Sequence, residues 1–173
     1  MRVLRDQETK THYLFPGTIF VNSEQHLVTT VLGSCVAVCL WHPRAQVGGI
    51  NHYLLPLWNG EGLPTPKYGN VAIIKLIEKV RRIAGSGELI AKVFGGASMW
   101  SQSDGALAVG ERNIELAFRV LAEEKIKVIS QDVSGEMGRK VIFDTKTGSV
   151  LLRRNPNVVM RAKMGQNIKG QKT

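Results

Sequence analysis

Short apolar runs rich in β-branched residues fill the first third of the chain. Each run has the length of a strand and is bounded by glycine, proline, asparagine or serine, so the pattern predicts four strands. These strands cover residues 17–21, 26–31, 36–41 and 46–55. Pro43 and Arg44 mark the turn between the last two, and separations this short favour hairpins over crossover connections.

Helical periodicity begins after a loop rich in glycine and proline at residues 57–69. Apolar side chains recur at three- and four-residue steps over residues 70–83 and 110–124, which predicts two amphipathic helices. Further strands are predicted at residues 89–94, 126–132, 140–143 and 150–153. Many strands with two good helices and no internal repeat indicate an α+β fold, with the helices packed on a mainly antiparallel sheet.

The positive charge of the chain is concentrated near its C-terminal end. The formal net charge is +9, and from Arg153 onward there are six basic residues and no acidic ones. We therefore predict one folded domain over residues 1–155 and a basic, disordered tail over residues 156–173. A basic tail can attract RNA, anionic lipid or an acidic protein. This tail lacks the interleaved aromatic residues of nucleic-acid-binding segments, so we expect no specific nucleic acid partner.

Cysteine usage and hydropathy both favour the cytoplasm. The two cysteines, Cys35 and Cys39, lie four residues apart on one predicted strand, which is too far for a disulfide. Free thiols are typical of a reducing compartment. The N-terminus has no apolar run of signal-peptide length, and no stretch approaches the roughly 20 apolar residues that span a bilayer. We expect a cytoplasmic protein without membrane insertion.

A cysteine and a histidine suited to nucleophilic catalysis lie on neighbouring predicted strands. Cys35 follows the tight turn Leu32–Ser34 at the start of its strand, where its own backbone N–H can face a developing oxyanion. His52 lies seventeen residues later, near the end of the next strand. In a hairpin this end returns beside Cys35, so we expect the imidazole to reach the thiol and take its proton.

The imidazole needs a partner that fixes its tautomer, and Thr29 is the candidate if the three strands are adjacent. No acidic residue lies between Glu24 and His52, which excludes a local Cys-His-Asp triad. From residue type and spacing alone, a non-catalytic role is favoured for both residues. In that case Cys35 packs in the core and His52 is a surface residue without a part in chemistry. A zinc site on Cys35, Cys39 and His52 is disfavoured, because residues four apart on a strand do not chelate; no metal is expected.

Gly95 and Gly96 end the strand predicted at residues 89–94. They can cradle a phosphate or line a substrate groove. However, the sequence around them has neither the lysine of a P-loop nor the glycine spacing of a dinucleotide site. Close backbone packing at the end of a strand is the favoured alternative.

A series of motifs spans residues 17–153: LGSCVAV at 32–38, VGGINHYLLP at 47–56, KYG at 67–69, AKVFGGASM at 91–99, GERNI at 110–114, and DVSG at 132–135 followed by Gly138-Arg139. In this order they resemble the CheD-type chemoreceptor glutamine deamidases. Two departures from the pattern of that family are Ser134, where glycine is usual, and His42-Pro43, where an aspartate is common. The basic tail lies outside the resemblance.

The resemblance implies a layered α/β/β sandwich, similar to deamidating toxin-type cysteine hydrolases, with a Cys-His-Thr site formed by Cys35, His52 and Thr29. The implied activity converts selected glutamine side chains to glutamate on methyl-accepting chemotaxis receptors, through a thioester and without a cofactor or metal. A Cys35 thiolate paired with a His52 imidazolium would attack the carboxamide and release ammonia. The residues expected to contact the substrate or its oxyanion are Gly33, Ser34, Gly95 and Gly96.

The resemblance also implies binding to a CheC-type phosphatase of the response regulator. Two other functions stay open at this point. One is a binding regulator of such a phosphatase whose catalysis is vestigial, and the other is a cysteine amidohydrolase or peptidase with a different substrate. The intact Cys35–His52 pair disfavours the first, and the expected cytoplasmic location disfavours a cell-wall substrate for the second.

Overall fold

The computed structural model describes residues 8–98 and 104–156, with side chains described outside residues 104–108. In chain order its elements are β1 Lys10–Tyr13, β2 Thr18–Val21, β3 His26–Leu32, β4 Val36–His42, β5 Val47–His52, α1 Gly69–Ala84, β6 Ile90–Gly95, α2 Asp104–Glu123, β7 Lys127–Val133, β8 Gly138–Asp144 and β9 Val150–Asn155.

The strands of the described ranges form two mixed sheets. The four-stranded sheet has the order β1-β3-β8-β9, and the five-stranded sheet has the order β2-β5-β4-β6-β7. Neighbouring strands are antiparallel except in the β1–β3 and β6–β7 pairs. The β6–β7 pair is parallel because α2 forms the crossover between the two strands.

Two apolar cores separate three layers. One core lies between the helices and the five-stranded sheet, and it includes Val36 and Val38 of β4 with Leu76 of α1. The other lies between the two sheets, where Ala37 and Cys39 of β4 take part. Successive side chains of β4 thus point to opposite layers, as strand geometry requires. The predicted α+β fold, layered as α/β/β with mainly antiparallel sheets, is confirmed.

The predicted strands and both helices are present, with boundaries shifted by one to several residues. The sequence pattern does not predict β1, because all four of its residues are exposed and show no apolar alternation. The condition attached to Thr29, that β3 lies beside β4, is not met. These strands belong to different sheets, so the turn between Leu32 and Val36 carries the chain from one sheet to the other. Apart from Pro156, the tail predicted at 156–173 lies outside the described residues.

In the part of the chain that the structure describes, no helix combines the length and the apolar character that crossing a bilayer requires.

Candidate active site

Cys35 and His52 lie at the same end of the molecule, on the face of the five-stranded sheet that meets the other sheet. The residues that follow them, Val36 and Tyr53, form a bridge with N–H···O distances of 3.1 and 3.0 Å. Extending this antiparallel register makes Cys35 and His52 diagonal neighbours on one face. The imidazole is buried, with 2% of the residue exposed, whereas Cys35 is half-buried. Of the two, Cys35 is therefore the group that a substrate reaches from solvent.

The His52 ring is held by Thr30. Thr30 Oγ1 lies 2.7 Å from His52 Nδ1 and 2.8 Å from the carbonyl oxygen of Leu14. A carbonyl oxygen only accepts, so the hydroxyl donates its single proton to Leu14 and accepts from His52 Nδ1–H. The neutral ring then carries its lone pair on Nε2, which is buried and has no hydrogen-bond partner among the described residues. Nε2 is thus free to accept a proton from a thiol.

The orienting role expected for Thr29 is corrected by the alternation of side chains along β3. Val28 and Leu32 belong to the core between the sheets, and Thr30 shares their side of the strand. Thr29 faces the other way and pairs with Ile142 of the neighbouring strand. The signal was present in the sequence, because Val28, Thr30 and Leu32 form an alternating set once β3 is placed over the five-stranded sheet.

Burial keeps both reacting groups neutral at rest. It raises the pKa of the Cys35 thiol, an effect opposed in part by a hydrogen bond from the backbone N–H of the same residue. It also lowers the pKa of His52 to about 4. At neutral pH the thiol is therefore protonated and the imidazole uncharged. Burial thus favours a neutral resting pair over the thiolate–imidazolium pair expected from the sequence.

Cys39 has the properties of a core residue. Its side chain lies between the sheets with 2% of the residue exposed, and burial raises the pKa of its thiol far above the ordinary value. Within residues 8–98 and 104–156, no group of three or more His, Cys, Asp or Glu side chains is placed to hold a metal ion. The zinc alternative on Cys35, Cys39 and His52 thus gains no support from the geometry.

The backbone around Cys35 is fixed by the end of β6. Gly96 N–H donates to the Cys35 carbonyl and Ala97 N–H donates to the Gly33 carbonyl, both at 2.9 Å. The reciprocal bond from Cys35 N–H to the Gly96 oxygen, which a regular antiparallel pair would have, is not formed between these two described residues. An interaction between the Cys35 N–H and the thiol of the same residue favours the thiolate and so opposes the rise of the thiol pKa. The Cys35 N–H is therefore available to an oxyanion that develops next to Sγ.

Gly95 and Gly96 pack against the main chain of Cys35. Gly95 has a φ of +110°, and a Cβ at this position would lie 2.2 Å from the Cys35 carbonyl oxygen. A side chain here would be both strained and in collision with the main chain. The Gly96 N–H is already bonded to the Cys35 carbonyl, so the predicted oxyanion role for Gly96 is wrong. Gly33 and Ser34 are partly exposed in the turn and stay candidates for substrate contact.

A partly buried ion pair holds the turn after β7 against this strand end. Arg139 donates to Asp132 Oδ1 at 2.7 Å and to the Ser134 carbonyl at 2.6 Å. The Ser134 N–H donates to the Gly95 carbonyl at 3.0 Å. Ser134 has a φ of +63°, a conformation that glycine adopts more readily, and it is the position where the chain carries serine in place of the expected glycine.

Two buried amides beside the site had no role assigned from the sequence. Asn51 Oδ1 accepts from the Val38 N–H at 2.8 Å, so a side chain replaces a main-chain oxygen and the β4–β5 ladder is interrupted next to His52. Asn113 of α2 donates to two main-chain oxygens near Cys35. Spacing could not identify either amide, because their partners are backbone groups that meet only in the folded chain.

Comparisons with known proteins match the chain to one family. The sequence model of the family described as "CheD chemotactic sensory transduction" matches residues 54–154. A protein of Trichlorobacter lovleyi named "Probable chemoreceptor glutamine deamidase CheD" is 55% identical over 146 residues, which cover 84% of this chain and 91% of that protein. A protein of Sulfurimonas denitrificans with the same name is 43% identical over 148 residues, covering 84% and 95% of the two chains.

A third relative extends the range of organisms. The protein named "Probable chemoreceptor glutamine deamidase CheD 1" of Anaeromyxobacter dehalogenans is 47% identical over 142 residues, covering 82% of each chain. Cys35 and His52 precede the region matched by the family model. The alignment with the Trichlorobacter protein spans 84% of the chain, which is long enough that it must include both positions.

Proposed function

The chain belongs to the CheD family, and we propose that it deamidates glutamine side chains of methyl-accepting chemotaxis receptors to glutamate. The observation that carries the proposal is the hydrogen bond from His52 Nδ1 to Thr30 Oγ1. It leaves an unprotonated, unpartnered Nε2 on the sheet face that also carries Cys35. A thiol and a base in this relationship are the elements that covalent hydrolysis of a carboxamide needs.

In the proposed reaction, the glutamine carboxamide meets the half-buried Cys35. His52 Nε2 removes the thiol proton as Sγ attacks Cδ, and the Cys35 N–H stabilises the negative charge on the carboxamide oxygen. The protonated Nε2 then gives its proton to the leaving nitrogen, and ammonia departs from a γ-glutamyl thioester. Water activated by Nε2 hydrolyses the thioester, which yields glutamate and restores the thiol.

An exposed aromatic pair beside the site suits a protein substrate. Phe15 and Tyr13 are 65% and 48% exposed, and their rings meet edge to face with centroids 5.1 Å apart. The turn that carries Phe15 is bonded to the histidine strand, because Gly17 N–H donates to the His52 carbonyl at 2.7 Å. Exposed aromatic side chains of this kind are enriched where proteins bind other proteins. We expect the pair to contact the receptor segment around the target glutamine.

Two further aspects of the proposal concern location and partners. Both described cysteines are free thiols, which favours the cytoplasm, where receptor signalling domains are presented. A CheC-type phosphatase of the response regulator is proposed as a second binding partner on the family resemblance alone. The reaction as written uses only groups of this chain and water.

Ammonia release from a purified receptor cytoplasmic fragment tests the proposal. Wild-type protein should release ammonia while the fragment keeps its full length, and Cys35→Ala should release none. Cys39→Ala is the matched control, because that thiol is enclosed in the core and takes no part in the reaction. Cleavage of the fragment would indicate a peptidase. Binding of the fragment without ammonia release would indicate a regulator.

A further inference from the structure

Asn113 joins the two segments that carry Cys35 and His52. It lies on α2 and is fully buried, and its Nδ2 donates to the Ser34 carbonyl at 3.1 Å and to the Leu54 carbonyl at 2.9 Å. Both partners are carbonyl oxygens, which only accept, so the amide nitrogen must face them. One side chain thus connects the residue before the nucleophile to the segment that follows the proposed base.

The hydrogen bond from Asn113 to the Ser34 carbonyl orients the peptide group that contains the Cys35 N–H. The Ser34 carbonyl and the Cys35 N–H belong to one planar peptide unit, so holding the oxygen also fixes the direction of the N–H. A hydrogen bond accepted by the oxygen polarises the group and strengthens the N–H as a donor. This is the N–H that interacts with the Cys35 thiol and forms no bond with Gly96.

The bond to Leu54 acts where the pairing of β4 and β5 ends. The Val36–Tyr53 bridge is the backbone pair nearest Cys35. Just beyond it, Asn113 Nδ2 donates one hydrogen bond to each of the two paired segments. The Tyr53 hydroxyl donates to the Asn113 carbonyl at 2.5 Å, which attaches α2 to the same place. Asn113 of α2 is therefore bonded to both segments at the point where their pairing ends.

We propose that Asn113 is a positioning residue, which orients and polarises the Ser34–Cys35 peptide as the oxyanion donor. This role rests on the proposed cysteine deamidation. The Oδ1 atom of Asn113 is buried without a partner among the described residues. An unsatisfied buried acceptor costs stability, so the amide is better explained by its two donor bonds than by packing.

Substitution of Asn113 tests the proposal through kcat. Asn113→Asp keeps nearly the same shape but can donate at most one of the two bonds, and only when its carboxyl is protonated. Asn113→Ala removes the amide and both bonds without adding a charge. Hydrogen-bond partners that orient metal ligands change affinity or activity about 10- to 100-fold, and we expect an effect of similar size from a residue that orients a catalytic peptide group. We expect kcat for receptor deamidation to fall by that factor in both variants, with little change in KM, because the substrate-contacting surface is unaltered.

Alkylation of Cys35 by iodoacetamide separates this role from general damage. Alkylation passes through no oxyanion, so its rate should stay near that of the wild type while kcat falls. Leu121→Ala is the matched control, since Leu121 is fully buried on the same helix, in the core between the helices and the five-stranded sheet, and lies about two turns beyond Asn113. It should lower the melting temperature and preserve kcat.

Two results would overturn the role of Asn113. One is a folded variant with wild-type kcat, and the other is a parallel loss of alkylation and deamidation. Should Asn113→Asp fail to fold, Asn113→Ala gives the same comparison. Absence of deamidation by the wild-type protein is a different result, because it would refute the proposed function itself.

Discussion

Thr30 Oγ1 lies 2.7 Å from His52 Nδ1, although the two residues belong to different sheets. The contact exists because the turn between Leu32 and Val36 carries the chain from one sheet to the other. Since the threonine hydroxyl also donates to the Leu14 carbonyl, it can only accept from the ring. The protonation of Nδ1, and with it the basicity of Nε2, is set by a neutral residue where many hydrolases use a carboxylate.

Thr30→Val should lower kcat for deamidation about 10- to 100-fold, because the ring loses the acceptor that fixes its tautomer and orientation. Thr30→Ser keeps the hydroxyl and should restore most of the activity. Thr29→Val is the matched control, the same substitution one residue earlier on the opposite side of β3, and should have near wild-type activity. Steady-state kinetics of the three variants make the comparison. A larger loss of kcat in Thr29→Val than in Thr30→Val would indicate that Thr29, and not Thr30, orients the His52 ring.

The pH dependence of kcat/KM should show an acid limb near pH 4. Burial lowers the pKa of His52 to about 4, so the ring is in its unprotonated, basic form at every pH above that value. An ordinary histidine would lose its basic form near pH 6.5. Initial rates measured at low substrate concentration, with the fold checked by circular dichroism at each pH, give the midpoint. A midpoint near 6.5 would contradict a buried, neutral His52.

Cys35 should be the only thiol that iodoacetamide labels in the folded protein. Cys35 is half-buried, whereas Cys39 is enclosed between the sheets. Because burial raises the pKa of the Cys35 thiol, its labelling rate should climb with pH through a midpoint above that of an ordinary thiol. Peptide mapping after timed labelling distinguishes the two residues. Equal labelling, or labelling of Cys39 first, would argue against Cys35 as the nucleophile.

Removal of residues 156–173 should leave kcat for a soluble receptor fragment unchanged. The segment follows β9 and contains no residue that the proposed reaction uses. Its positive charge can still accelerate encounter with an acidic surface, and such steering is screened by salt. Any loss should therefore appear in kcat/KM at low ionic strength and fade near physiological salt. A salt-independent fall in kcat would mean that the segment contributes to the site.

Much of the fold could be predicted from local pattern, because alternation and helical periodicity report which side chains are buried. β1 escaped prediction since its exposed residues carry no such pattern. The sheet to which β3 belongs could not be predicted either. The sequence of the turn after Leu32 does not indicate whether the next strand pairs with β3 or belongs to another sheet. The choice of Thr29 depended on strand adjacency and on the family resemblance, whereas in the structure the hydroxyl that contacts His52 is that of Thr30.

The reactive residues of the candidate site could be predicted from the chemistry of their side chains. The residues and properties that depend on tertiary packing could not. Cys35 and His52 are identified by reactivity, spacing and the motifs around them. Asn113 acts through carbonyl oxygens that are far apart in sequence. The neutral state of the Cys35–His52 pair depends on burial, which lowers the pKa of the imidazole and raises that of the thiol. Neither burial nor a tertiary backbone contact can be read from spacing.

Site-resolved mass spectrometry of a receptor cytoplasmic fragment tests most directly whether Cys35 converts receptor glutamines to glutamate. After incubation with wild-type protein, a small set of glutamine-containing peptides should gain the mass difference between glutamine and glutamate. The same peptides should stay unchanged with Cys35→Ala and should be converted with Cys39→Ala. Conversion by Cys35→Ala at the wild-type rate, or a fragment left unmodified by wild-type protein that binds it, would contradict the assignment of this chain as a cysteine-dependent receptor deamidase.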